Sequence, residues 1–285
     1  ELFKKILTKK VREAYKTIAF DLLIGQPGQT PLTMAKTCDQ IVELQPTLVQ
    51  LSLMAYKPWV AKYQTKMIAE GPLPDFLERK ELLEVIHKKL KAAGYIRTGF
   101  ECYSLPNDPM TKAFEEGTAH YGASGHQTGG RVNFVAVGSS SKSNLGDAYY
   151  SQSYYDLPSY KKCLDKGKLP TFRGMKLSKD DKIRQHATQQ LRSYFKIDFK
   201  QFERIFKINP KEYFNKEIKH LEEMIKDDLI TVSDKGIEIT KLGRDFSQNI
   251  SNVFDVYDPP NKSYNERFAT IQKAKLAQAS VRELI

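Results

Sequence analysis

The run Asp21-Leu22-Leu23-Ile24-Gly25-Gln26-Pro27-Gly28-Gln29-Thr30-Pro31 limits what this chain can fold into more than any other. Thr17–Ile24 reads as an apolar strand that carries one acid near its end and runs into a Gly/Pro turn. In a parallel α/β sheet, ligands sit where strand C-termini meet the loops that follow. An acid at that place can hydrogen-bond a ribose or an amine. A helix follows with Met34, Ile41, Val42 and Leu44 inward, and Gln45-Pro46 ends it. Leu48–Ala55 is the next strand. A loop with Pro58 and Trp59 leads to a long helix from Asp75 to Ala93, with Leu77, Leu82, Leu83, Val85, Ile86 and Leu90 inward. Gly94 is placed to cap it. Tyr95–Tyr103 reads as a third strand and Val132–Val137 as a fourth. Strands alternating with helices imply βαβ units and a parallel sheet. Four strands fall short of a closed barrel, so the sheet is open or is the second part of a larger barrel.

Residues 1–16 read as an amphipathic helix with Leu2, Phe3, Ile6, Leu7, Val11 and Ala14 on one side. A helix covering the sheet is preferred to one lying on a membrane, because a strand follows at once. With no initiator Met, the start reads as a helix cut out of a longer protein. From residue 157 the composition shifts. Ser178-x-x-Asp181 is a capping box opening a helix that carries Ile183, Ala187, Leu191 and Phe195. A short helix at Phe199–Phe206 follows, then a helix with Phe214, Ile218, Leu221 and Ile225. A hairpin of Leu229–Val232 and Ile237–Thr240 comes next, and 241–256 form a last helix. Helix, helix, helix, hairpin is a winged-helix pattern. Pro259-Pro260 then breaks the chain before a tail.

The chain has 285 residues and a net charge of +11. A basic surface can serve nucleic acid, a membrane or an anionic small substrate; solvated lysine-rich faces explain it as simply. DNA binding is disfavoured, because the helix that would enter the major groove carries Glu217, Glu222, Glu223, Asp227 and Asp228. Cys38, Cys102 and Cys163 are far apart, which fits a reducing cytoplasm and argues against a disulfide framework. They cannot supply a C-x3-C-x2-C cluster loop. No apolar run approaches the ~20 residues of a membrane span. The histidines show no ligand spacing, and no P-loop or dinucleotide fingerprint is present.

The strand ends make the best candidate site. Asp21, Ala55, Tyr56, Glu101, Tyr103 and Gly138–Ser143 are expected to converge on one face. Ser139-Ser140-Ser141 could offer hydroxyls and N–H groups to an anion, or make only a tight turn. The loop Gly122–Gly130, flanked by His120 and containing His126, is either a lid or a connector. His87 reads as structural.

Several of these segments resemble the oxygen-independent coproporphyrinogen III oxidases, a radical S-adenosylmethionine (SAM) family. Asp21–Pro31 looks like the family's strand-and-turn motif, and Ala55-Tyr56-x-Pro58 resembles its Y-A-H-x-P segment. Gly99-Phe100-Glu101-Cys102-Tyr103-x-x-Pro106-x-Asp108 is similar to its G-x-D-H-F-A-x-P-D-D. Gly138–Tyr149 and Arg173-Gly174-x-x-Leu177-Ser178-x-Asp180-Asp181-x-Ile183-Arg184 follow two further motifs. Gly236–Arg244 and Asn249-Ile250-x-x-x-Phe254-Asp255 match the C-terminal module.

The resemblance implies the second part of a radical SAM-type partial (β/α) barrel over residues 1–156. It further implies a winged-helix-like C-terminal domain over 157–258 and a tail over 259–285. It implies a cytoplasmic, monomeric enzyme of haem biosynthesis that uses SAM and a [4Fe-4S] cluster to convert coproporphyrinogen propionates to vinyls. Its partners would be the tetrapyrrole substrate and an electron donor of the flavodoxin type, with neither membrane nor nucleic acid. By position, Asp21, Ala55 and Lys142 match SAM contacts, Lys142 standing where the family carries Ile. Tyr56, Glu101, Tyr103, Ser124 and His126 fall near the expected substrate. The cluster loop and first strands would lie upstream of Glu1, so this chain alone is expected to be inactive. Ser124 replaces a Gln, and Glu101-Cys102-Tyr103 replaces D-H-F. A relative acting on haem, a methyltransferase, and a non-catalytic tetrapyrrole- or DNA-binding module remain alternatives.

Overall fold

The computed structural model describes residues 2–54, 56, 63–122, 125–129, 133, 135–145 and 149–257. These form two compact units, one ending at Lys112 and the other starting at Ala113.

In the first unit the expected N-terminal helix is two short ones, α1 (Leu2–Ile6) and α2 (Lys9–Ala14). The break falls where the Thr8 hydroxyl accepts the Val11 N–H at 3.4 Å and so starts a new helix. Leu2 and Ile6 are exposed, while the Phe3 ring lies 5.2 Å from that of Phe20. Next come β1 (Ala19–Ile24), α3 (Pro31–Leu44) and β2 (Leu48–Leu53). β1 and β2 pair in parallel, as the intervening helix requires. α4 (Tyr63–Ala69) leads to α5 (Phe76–Ala92). An Asp75–Glu78 capping box opens α5, and Gly94 at φ +85° closes it. Leu82, Ile86 and Leu90 are its buried stripe. Leu77, expected inward, is exposed because five residues carry it about 140° round the helix from Leu82.

The expected third strand is instead a hairpin, β3 (Ile96–Arg97) and β4 (Cys102–Ser104), reversing through Gly99 at φ +145°. β4 lies antiparallel to β2, in a sheet ordered β1-β2-β4-β3. Only β1–β2 is the parallel pair the alternation implied; a parallel partner needs a crossover much longer than the hairpin turn. α3 and α5 cover one sheet face, whose core holds Leu22, Ile24, Val49, Leu51 and Tyr103. The boundary of the units falls within α6 (Pro109–Glu115).

In the second unit the glycine-rich run forms a hairpin, β5 (His120–Gly122) with β6 (Gly125–Gln127). The expected strand Val132–Val137 is not one at its described residues, and Val135 and Val137 are exposed. β7 (Lys142–Leu145), β8 (Tyr149–Ser153) and β9 (Thr171–Lys176) form an antiparallel sheet, with α7 (Leu157–Asp165) between the last two. α8 (Lys179–Tyr194) opens on the expected Ser178–Asp181 capping box. β10 (Lys196–Asp198), unforeseen, precedes α9 (Phe199–Phe206). The single helix expected next is three short pieces, α10 (Pro210–Tyr213), α11 (Asn215–His220) and α12 (Glu222–Lys226). β11 (Ile230–Val232) and β12 (Gly236–Ile239) follow, in a sheet ordered β10-β12-β11. A 3-10 turn (Leu242–Phe246) and α13 (Ser247–Asn252) replace the expected last helix. Close backbone approach fixes two glycines here. A Cβ on Gly236 would lie 2.0 Å from the Ile197 carbonyl oxygen, and one on Gly243 would lie 1.9 Å from that of Leu229. Residues 258–285 lie outside the described residues.

Candidate functional site

The turn after β1 is built by its own side chains. The Gln29 side-chain oxygen accepts the Gly25 and Gln26 N–H groups at 2.7 and 3.0 Å, and its Nε2 donates to the Leu23 carbonyl at 2.9 Å. Thr30 and Thr33 then make a capping box with Pro31 at the first turn of α3. Gly25 sits at φ +93°, and a Cβ there would meet the Arg79 Nε at 3.2 Å. Arg79 donates to the carbonyls of Pro74 and Met54 at 3.2 and 3.4 Å, and the Tyr56 hydroxyl donates to the Gly25 carbonyl at 2.9 Å. Burial pushes the Arg79 pKa down and the Tyr56 pKa up. Tyr56 therefore braces the turn as a neutral phenol.

The sheet face not covered by α3 and α5 is the candidate side for a ligand. β1 alternates, with Leu22 and Ile24 buried against the helices and Asp21 and Leu23 exposed on the other face. Register pairs Asp21 with Gln50 and Leu23 with Ser52, and Gln50 with Cys102. Residues in register share a face, so Asp21, Gln50 and Ser52 form a polar stripe there. Asp21 has no hydrogen bond or ion pair among the described residues. Its carboxylate suits ribose hydroxyls or an ammonium group, both of which SAM carries.

Glu101 lies just before β4, where its carbonyl accepts the Leu51 N–H at 2.7 Å. Tyr103 does not join Asp21. Because β4 runs antiparallel, Tyr103 pairs with Val49 and points to the helix-covered face, with its hydroxyl 2.6 Å from His87 Nδ1. Ala55 and Ser124 lie outside the described residues. Gln50 and Ser52 were not anticipated, yet the alternation Val49-Gln50-Leu51-Ser52-Leu53 signals them.

In the second unit His126 is buried on β6. Its ring meets Tyr121 edge-on at 4.9 Å, and its Nε2 lies 3.4 Å from the Arg192 carbonyl. Burial pushes its pKa down to about 4, with Arg192 and His120 adding repulsion, so the ring is neutral. His120 lies 3.4 Å from the Gln189 side-chain nitrogen. The serines close a turn. Ser141 Oγ donates to the Ala136 carbonyl at 3.3 Å and is paired with the Ser153 hydroxyl at 3.0 Å, and Ser143 Oγ accepts the Ala136 N–H at 3.0 Å. Lys142 stands in β7, paired with Gln152.

The chain's cysteines do not fit an iron–sulfur cluster, which needs thiolates gathered at one place. They lie on α3, β4 and α7, and burial raises the pKa of Cys38 to about 11 and of Cys102 to about 12. Among the described residues no three His, Cys, Asp or Glu are placed to hold a metal ion. No helix among them is long and apolar enough to cross a membrane.

Residues 177–246 match the family model for the HemN C-terminal domain. Over 245 residues the chain is 35% identical to the oxygen-independent coproporphyrinogen III oxidase of Pseudomonas aeruginosa, covering 86% of this chain and 53% of that protein. It is 30% identical over 258 residues to the enzyme of the same name from Escherichia coli K12, covering 90% of this chain and 56% of that protein. The solved structure of coproporphyrinogen III oxidase (HemN) from Escherichia coli, described as a radical SAM enzyme, aligns with a TM-score of 0.82 at 30% identity. That alignment covers 90% of this chain and 58% of that one. The mixed α/β fold is thus shared, and the chain spans about half the length of the curated relatives it matches.

Proposed function

We propose that this chain, a relative of the oxygen-independent coproporphyrinogen III oxidases that carries their HemN C-terminal domain, is the SAM- and substrate-binding portion of such an enzyme. In this reading residues 1–156 belong to a radical SAM-type partial barrel, 157–258 form a winged-helix-like domain, and 259–285 are a tail. The reaction converts propionate side chains of coproporphyrinogen III to vinyls, with loss of carbon dioxide, a proton and an electron pair from each.

The observation that carries the reading is the unpaired Asp21 carboxylate on the helix-free sheet face, in register with Gln50. SAM bound there would supply the hydrogen-abstracting chemistry. Asp21 would accept hydrogen bonds from its ribose or ammonium group, Ala55 would border it, and Lys142 would contact it through the backbone. Of the residues expected near the substrate, Glu101 and Ser124 are the proposed contacts, Tyr56 acts indirectly by holding the Gly25 turn, and Tyr103 and His126, buried against His87 and Arg192, serve packing instead. The cluster ligands do not come from this chain's cysteines, so no step is drawn through them. A flavodoxin-type donor, a monomeric cytoplasmic protein and no membrane or nucleic-acid partner belong to the same proposal.

A second reading keeps the SAM site but changes the substrate to haem. It is favoured by the departure Glu101-Cys102-Tyr103, in the segment where the family carries D-H-F. Both readings are tested on the protein expressed from its complete reading frame and reconstituted anaerobically with iron, sulfide and SAM. Given coproporphyrinogen III, it should yield a product lighter by one carbon dioxide and two hydrogens for each of two propionates converted. Consumption of haem with coproporphyrinogen untouched would favour the second reading, and turnover of neither would overturn both.

A further inference from the structure

The second unit holds a cleft that none of the residues above explains. Its outer part encloses about 480 Å3 and is lined by Lys196, Lys200 and Arg204, with the rings of Phe114 and Tyr194 stacked 5.7 Å apart. Those three cations make no ion pair among the described residues. Glu115 and Asp198 also line it, but the Asp198 carboxylate is already engaged by the Gln201 N–H at 3.0 Å. Net positive charge therefore remains at the mouth. An inner cavity of about 250 Å3 shares Gln190, Tyr194 and Gln201 with the outer one and is lined by Ser193. Ser193 is 1% exposed, and its Oγ has no hydrogen-bond partner among the described residues. A buried hydroxyl left unpaired is costly, and native proteins leave few of them.

We propose that this cleft is a ligand site, separate from the Asp21 stripe, for a small planar molecule bearing a carboxylate or phosphate group. The acid group docks on Lys196, Lys200 and Arg204, whose guanidinium fork matches either oxyanion. The planar part lies along Tyr194, and a polar edge reaches Ser193 and completes its hydrogen bonding. The outer volume is within the range of small-molecule pockets, and a concave site with an unmet hydroxyl inside suits a small ligand better than a protein surface.

Calorimetric titration with ADP and with folate, at low ionic strength, tests this with one planar phosphate and one planar dicarboxylate probe. One of them should bind at a single site, which identifies the preferred acid group. Arg204→Glu should weaken that binding at least about tenfold, and Ser193→Ala severalfold, each with an unchanged unfolding temperature. Lys219→Glu, on α11, should leave it as it is. No binding of either probe would overturn the proposal. So would wild-type affinity in Arg204→Glu, or equal weakening in Lys219→Glu, since either would mean another site or a general charge effect.

Discussion

His126 shows how burial, more than residue type, sets the chemistry of a side chain. In the unfolded chain its pKa is near 6.5, and in the fold burial lowers it to about 4. The folded state thus excludes a proton that the unfolded state binds. Stability is intact above pH 6.5 and is lost as pH falls towards 4, by a total on the order of 3 kcal/mol. Urea unfolding of the wild type should show this loss between pH 7 and pH 5, and His126→Gln should flatten it. An equal slope in both proteins would assign the effect to other groups. The sequence exposed Asp21 plainly, because a lone acid inside an apolar run must face away from the core. It could not orient Tyr103, because which face a strand residue takes depends on strand pairing, which here is antiparallel.

At the scale of elements, α8 is fastened by charge as well as by its buried stripe. Arg184 donates to Asp180 and to Glu217 at 2.8 Å each and to the Phe254 carbonyl at 3.3 Å, and Tyr213 also bonds Asp180. The Arg184 and Glu217 side chains are only 16% and 12% exposed, so removing one strands the other. Arg184→Ala should cost about 3 kcal/mol, seen as a lower urea midpoint, whereas an effect below about 1 kcal/mol would mark the pair as an ordinary surface one. Helices with a clear periodic run or a local start signal were legible: the Ser178 capping box places α8, and the apolar run from Asp75 places α5, within a residue. β10 was not, since Lys196-Ile197-Asp198 has one apolar residue and exists only through its pairing with β12. The helix expected through Phe214 to Ile225 has the right apolar spacing, yet it is three short helices, with Pro210 at the start of the first.

For the whole molecule, the α/β class was readable from alternation, but the sheet was not. Strand direction depends on partners distant in the chain, and only the helix between β1 and β2 left a local sign of it. The Asp21 turn was legible because its glycines, glutamine and capping threonine act within a few residues of one another. The cleft at Lys196, Lys200 and Arg204 was not, because it forms only when β10, α8, α9 and the end of α6 pack together. The central claim is that Asp21 holds SAM. The most direct test is equilibrium dialysis of labelled SAM against the protein from its complete reading frame, against Asp21→Ala and against Lys142→Ile. Asp21→Ala should lose at least about tenfold in affinity, while Lys142→Ile, which keeps the backbone, should bind as the wild type does. Undiminished binding by Asp21→Ala would contradict the assignment of this sheet face as the SAM site.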